Sequence, residues 1–192
     1  RQLSPEKPLD LINLTVKRLA EGKIIGWFQG GAEFGPRALG NRSILTRPYP
    51  KEMRDHLNNR VKFREEFRPF APAVLYECVG DYFDIRQESP HMLIASNATN
   101  LAKEKIPATI HVDNSCRVQT VKAENNEIFY RLLHSFFGLT GCPVLLNTSF
   151  NIKGQPIVNT PSQAIDCFLS TNIDCLVLGE YFLEKNSPSE VL

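Results

Sequence analysis

Four stretches of the sequence gather side chains suited to anion chemistry. In "GPRALGNR" Arg37 follows directly on the Gly35–Pro36 bend, with Arg42 beyond it. "RVKFREEFRPF" carries Arg60, Lys62, Arg64 and Arg68 among Phe67, Pro69 and Phe70. "VDNSCRVQTV" places Arg117 just after an Asp-Asn-Ser turn. "LLNTSFN" delivers Asn147, Thr148, Ser149 and Asn151 at the end of an apolar run. The planar guanidinium of arginine grips phosphate or carboxylate through two parallel hydrogen bonds. The neutral donors and acceptors of the last stretch suit a nucleotide or a carbamoyl-like amide, and strand ends of this kind often carry ligand contacts. Taken singly, each stretch has a plainer reading. The second is a surface strip paired with Glu65 and Glu66, Arg117 is a surface ion pair, and the last is a hydrogen-bonded turn.

Other chemistries are poorly served. No GxxxxGK[ST] motif occurs, and neither "GKIIG" nor "GGAEFG" makes a GxGxxG loop. Any bound phosphate must therefore be held mainly by side chains, with loop amides assisting. Ser149 lacks both a GxSxG frame and a neighbouring base, which argues against a serine nucleophile. The four histidines are scattered and the five cysteines form no CxxC pair, so no metal site is expected. Free, buried thiols in a reducing cytoplasm are the expected state of the cysteines.

The elements that must position these residues read as a mixed α/β pattern. "PLDLINLTVKRLAEGK" has Leu9, Ile12, Val16 and Leu19 at helical spacing, and Gly22 stops it. "KIIGWF", a brief "SIL", "PFAPAVLYE", "HMLIAS", "CRVQTV", "CPVLLNTSF" and one or two segments of "IDCLVLGEYFLEK" read as strands. Within "CRVQTV" the alternation sends Arg117, Gln119 and Val121 to one face. "PKEMRDHLNNRVKF", "CVGDYFD" and "NEIFYRLLHSFFGLTG" read as helices. So does "TPSQAIDCFLSTN", with a threonine cap and an apolar face of Ala164, Ile165, Phe168 and Leu169. "NATNLAKEKIP" reads as a flexible polar connection. In the arginine-rich loop, Arg42 reads as a brace for the turn and Arg47 as a surface residue.

The 192 residues suit one domain with a sizeable core. Twenty-two basic residues against 21 acidic ones argue against a general nucleic-acid binder. No apolar run approaches the ~20 residues of a membrane span, and "RQLSPEKPLD" does not look like a secretory signal.

The strings "EFGPRALGNRSIL", "NNRVKFREEFRPFAPAVL", "HVDNSCRVQTV" and "PVLLNTSFNIKGQPIVNTPSQAIDCF" together resemble the C-terminal domain of the NodU/tobramycin-type O-carbamoyltransferases. They follow in the family's order and cover about residues 23–185. The resemblance implies a YrdC-like fold, a twisted mixed open sheet with flanking helices and a concave basic cavity. It implies binding of ATP, with Mg2+, and carbamoyl phosphate, and formation of carbamoyladenylate and pyrophosphate. A separate actin-like, metal-binding N-terminal domain, absent from these 192 residues, would pass the carbamoyl group to a hydroxyl acceptor. The family's anion grip would fall on Arg37, Lys62, Arg68 and Arg117, with Lys62, Arg68 and Arg117 the catalytic set. Asn147, Thr148 and Ser149 would bind substrate. The KxR and SxN patterns add Arg64 and Asn151. Gly31 stands where relatives commonly carry arginine. A threonylcarbamoyl-adenylate synthase of tRNA modification shares the implied fold and is the alternative, as is a non-catalytic nucleotide- or RNA-binding module.

Overall fold

The computed structural model of the chain describes residues 8–63, 65 and 69–185. The eight strands are β1 (Ile25–Phe28), β2 (Arg42–Thr46), β3 (Ala71–Leu75), β4 (Ile94–Asn97), β5 (Ser115–Val121), β6 (Val144–Ser149), β7 (Cys175–Leu178) and β8 (Tyr181–Glu184). They form one sheet in the order β4-β5-β3-β6-β2-β1-β7-β8. The pairs β1–β7 and β3–β5 are parallel and the remaining neighbours antiparallel. This is the mixed sheet expected from a sequence without a regular βαβ rhythm.

The helices are α1 (Pro8–Ala20), α2 (Met53–Leu57), α3 (Val79–Tyr82), α4 (Asn100–Lys105), α5 (Glu127–Thr140) and α6 (Pro161–Ser170). Strand alternation splits the apolar residues into two cores. Ile25, Trp27, Leu45 and Leu145 join Leu11, Ile12, Val16 and Leu19 of α1 and Phe129, Leu132, Leu133 and Phe136 of α5. Phe28, Ile44, Leu146 and Phe150 join Met53 and Leu57 of α2 and Ala164, Cys167 and Phe168 of α6. Thus Leu145 and Leu146, adjacent in sequence, serve opposite layers. Helix α5 starts on Asn126, whose side chain accepts from the Phe129 amide, and ends on Gly141 at φ 71°. Helix α6 has the full capping box of Thr160 and Gln163.

Several expectations need correction. "NATNLAKEKIP" is no loose connection. It contains α4, capped by Thr99 Oγ1 accepting from the Ala102 amide. Ala102 and Ile106 are fully buried, and that anchorage was hidden among polar neighbours. On α6, Leu169 is 68 % exposed, and Cys167 takes the buried place instead. "SIL" belongs to a five-residue strand, fully buried because β1 and β6 flank it on both edges. In "HMLIAS" the strand begins only at Ile94, because Met92 adopts φ 55°. All five cysteines are free, four of them buried and Cys78 half-buried. No described helix is long and apolar enough to cross a membrane.

Candidate functional site

The loop between β1 and β2 is tied down along its length. Glu33 Oε1 accepts from the backbone amides of Leu39, Asn41 and Arg42 at 2.7, 2.8 and 3.2 Å. Trp27 Nε1 donates to the Gly40 carbonyl at 2.8 Å. Ser43 Oγ accepts from the Gly40 amide. Gly40 sits at φ 110°, and a Cβ there would meet the Phe129 ring at 2.4 Å, so only glycine fits. Arg42 is the brace that the sequence indicated. It is 4 % exposed, donates to the carbonyls of Gln29, Gly30 and Asn41, and lies 3.5 Å over the Phe28 ring. Burial lowers its pKa, partly offset by the charge of Glu33. Arg47, read as a surface residue, is half-buried. It donates to the Ala20 carbonyl at 2.8 Å and packs across Gly22, where no side chain blocks it. Arg37 alone of the three stays exposed, at the tip of this anchored loop.

The tip leans on the end of β6. Asn147 is 1 % exposed, and its Nδ2 donates to the Ala38 carbonyl at 3.1 Å and to Gln119 Oε1 at 2.8 Å. Gln119 Nε2 in turn donates to the Leu39 carbonyl at 2.8 Å. Asn147 Oδ1 is left as a buried acceptor with no hydrogen bond. Such a group is costly unless a ligand completes it. Register explains the meeting. Asn147 pairs with Leu45 on one side and Ala71 on the other, and Ala73 pairs with Gln119. The small alanines of β3 leave the strand between Asn147 and the Arg117–Gln119 row without bulk.

A cavity of about 60 Å³ results. Arg37, Arg117, Asn147, Thr148 and Ser149 line it, with Phe70 and Ala71 among the apolar wall. The structure thus brings five of the expected residues together. Lys62 and Asn151 stand behind Ser149. Lys62 is 4 % exposed at the end of a π-helical turn, Asn58–Lys62. Its Nζ donates to Ser149 O at 2.5 Å, Asn151 O at 3.0 Å and Asn151 Oδ1 at 2.8 Å. Ser149 Oγ donates to Asn151 Oδ1 at 2.8 Å. The ammonium therefore shapes the polar turn from beneath. Arg60 turns away to Asp174, at 2.9 and 3.2 Å. Arg64 and Arg68 lie outside the described residues.

A second cavity of about 480 Å³ adjoins the first, lined by Glu33, Phe34, Leu39, His91, Gln119 and Glu124 among others. The same loop and the same strand, β5, wall both. Sequence reading missed Glu33 and Gln119 as organisers. Gln119 was traceable, since it shares the strand face of Arg117. Glu33 was not, because its partners are backbone amides that no residue type announces. Gly31 is exposed, and a side chain there would meet nothing within 4 Å. Among the described residues no group of three or more His, Cys, Asp or Glu is placed to hold a metal ion.

Comparison with known proteins fits this geometry. The family model "Carbamoyltransferase C-terminus" matches residues 16–185. The nodulation protein NolNO of Sinorhizobium fredii is 42 % identical over 183 residues, covering 94 % of this chain and 27 % of that protein. A 3'-hydroxymethylcephem-O-carbamoyltransferase of Streptomyces clavuligerus is 39 % identical, covering 95 % of this chain and 34 % of its own length. The chain therefore spans about a third or less of these relatives. Among solved structures, full-length HypF in a phosphate- and nucleotide-bound form matches with TM-score 0.62 and 19 % identity, covering 88 % of this chain and 25 % of HypF. Sua5 of P. abyssi, complexed with L-threonine, matches with TM-score 0.64 and 13 % identity, over 91 % of this chain and 48 % of Sua5. These likenesses establish the fold as YrdC-like, and the family match and the relatives together place this chain in the carbamoyltransferase C-terminus family.

Proposed function

We propose that this domain binds ATP and carbamoyl phosphate in the cleft between the start of β5 and the end of β6 and forms carbamoyladenylate. The carrying observation is one small cavity walled by two arginines from separate elements, Arg37 and Arg117, beside Asn147 and Ser149. Both substrates are highly anionic, and their mutual repulsion opposes the reaction. Cations fixed before the substrates arrive offset that repulsion without reorganisation, commonly the largest catalytic contribution. Arg37 and Arg117 grip phosphate oxygens. Asn147 orients the carbamate or α-phosphate, and Lys62 holds Ser149 in place while lending its charge from below. Arg68, with Arg64, completes the grip. Thr148, Ser149 and Asn151 supply the remaining polar contacts.

Water cleaves carbamoyl phosphate to carbamate and phosphate. A carbamate oxygen then attacks the α-phosphorus of ATP, the bond to the β-phosphate breaks, and pyrophosphate leaves. No side-chain nucleophile is needed, because such transfers depend on positioning and charge. Mg2+ accompanying the nucleotide would supply further neutralising charge, with no protein ligand assigned to it. The acylated nucleotide then serves a hydroxyl acceptor held by the rest of a longer protein, whose N-terminal domain is the partner of this one. The relatives' greater length and the named O-carbamoyltransferase support this reading. Five free thiols fit a reducing compartment such as the cytoplasm.

The test is pyrophosphate release with ATP and carbamoyl phosphate supplied together and singly. Release that needs both supports the proposal. Release that follows bicarbonate and threonine instead would transfer the domain to the threonylcarbamoyl-adenylate reading. No release and no binding of either ligand at millimolar concentration would end both.

A further inference from the structure

The segment that looked like a loose connection builds a further concave feature, at the opposite end of the central strands from Asn147–Ser149. Helix α4 is followed by a 3-10 turn, Pro107–Thr109, and the Ala108 amide donates to the Pro48 carbonyl at 3.0 Å. This docks the segment against the chain leaving β2. Between them, and over the turn from α5 to β6, lies a cavity of about 740 Å³. Its apolar walls include Tyr49, Tyr82 and Leu101, and its cations are Arg47, Lys51 and Lys105. A neighbouring cavity of about 320 Å³ shares Lys51 and Pro107 and adds Arg54 and Lys103.

Charge is concentrated here against the background of the molecule. The whole chain has a net charge of +1. Five cations line this double cavity with one carboxylate, Glu104, which pairs with Lys105 at 2.9 Å. Among the described residues no carboxylate pairs with Arg47, Lys51 or Lys103. The two tyrosine rings offer flat apolar contact. Burial raises both phenol pKa values, that of Tyr82 to about 12, so the rings stay neutral donors. A volume in the range of ~300–1,000 Å³, apolar walls and a few polar groups describe a small-molecule site. The shape is a basin rather than a track, and Glu104 interrupts the run of cations, so a nucleic-acid strand is the poorer fit.

We propose that this cavity binds a small anion with an apolar body: a carboxylate, sulfonate or phosphate ester on a ring or short hydrocarbon frame. The body lies against Tyr49, Tyr82 and Leu101. The anionic group meets Lys51, Lys105 and Arg47 at the rim. The site is separate from the Arg37–Arg117 cleft and does not depend on the function proposed for that cleft.

The probe is 8-anilinonaphthalene-1-sulfonate, titrated by fluorescence into the full chain. The expected result is one saturable site per chain, weakened by added salt. Lys51→Glu combined with Lys105→Glu reverses two exposed charges and should weaken the dye by about tenfold, as two lost exposed attractions imply. Arg37→Glu should leave it unchanged. The uncharged parent, N-phenyl-1-naphthylamine, should bind equally to the native chain and the doubly reversed one, which also checks that the variant keeps its cavity. An unchanged dye affinity in the double variant, non-saturable binding, or loss of the dye in Arg37→Glu would each overturn the proposal.

Discussion

The two ends of β2 and β6 hold most of their cations differently, although Arg47 at the far end also donates to a backbone carbonyl, that of Ala20. At the end carrying Arg42 and Ser149, Arg42 and Lys62 are buried and held by backbone carbonyls, while Arg37 is exposed. Arg42 donates to Gln29 and Gly30, and Lys62 to Ser149 and Asn151. Carbonyls fix a cation's position without neutralising it, so a charged site is built before any ligand enters. At the other end Lys51 and Lys103 are exposed and unpaired among the described residues. That rim can adapt to its ligand, and it must give up side-chain entropy to do so. The difference separates an array of charge fixed in advance from one that must be ordered by whatever meets it.

Glycine substitutions should show the largest difference between the two ends. Gly40→Ala at the Arg37 end drives a Cβ to 2.4 Å from Phe129 at an unfavourable φ. It should cost about 3–5 kcal/mol in urea unfolding. Gly141→Ala at the far end meets nothing within 4 Å, and only its φ of 71° is strained. The expected cost is about 1–2 kcal/mol. Equal costs would mean that the Arg37 loop is no more constrained than the far end. Lys62→Met comes next. It strips hydrogen bonds from the Ser149 and Asn151 carbonyls and should lower stability by about 2–3 kcal/mol, although it removes no exposed group.

Gly31→Arg enters open space at an ordinary φ, so stability should move by less than about 0.5 kcal/mol. If Gly31 marks a lost charge at the cleft edge, the variant should bind pyrophosphate more tightly by calorimetry. An unchanged affinity would detach Gly31 from the site. Thiol chemistry gives the least change. Burial pushes Cys142 to about 11 and Cys116 and Cys175 to about 12, so the thiol form persists throughout neutral and mildly basic pH. Peptide mapping after iodoacetamide at pH 8 should find these three unmodified in the folded protein and modified in urea. Cys142 lies beside the far cavity, so early labelling there would show that the cavity floor opens.

Much of this was legible in the sequence, for physical reasons. Helix α5 announced itself by an apolar stripe and a glycine stop, and β5 by the alternation that put Arg117 and Gln119 on one face. Arg37 was marked by its glycine-proline bend, and the Asn147–Ser149 turn by the apolar run ahead of it. What stayed hidden depends on contacts between distant segments. Glu33 works through backbone amides, Arg47 is drawn inward by the Ala20 carbonyl, and α4 is held by two buried side chains among polar ones. Lys62 carries the same charge as Arg37, but only the structure shows that its Nζ is committed to Ser149 and Asn151 while Arg37 is exposed.

The central claim is that Arg37 and Arg117 form the phosphate grip of a nucleotide site. Calorimetric titration of ATP into the native chain, Arg37→Ala and Arg117→Ala tests it most directly. The account predicts saturable binding to the native chain. Arg37→Ala, exposed and without packing duty, should lose about 1.5–3 kcal/mol of affinity and keep its unfolding midpoint, and Arg117→Ala should lose a similar amount. Equal ATP affinity in all three proteins, or no binding to the native chain at millimolar ATP, would contradict it.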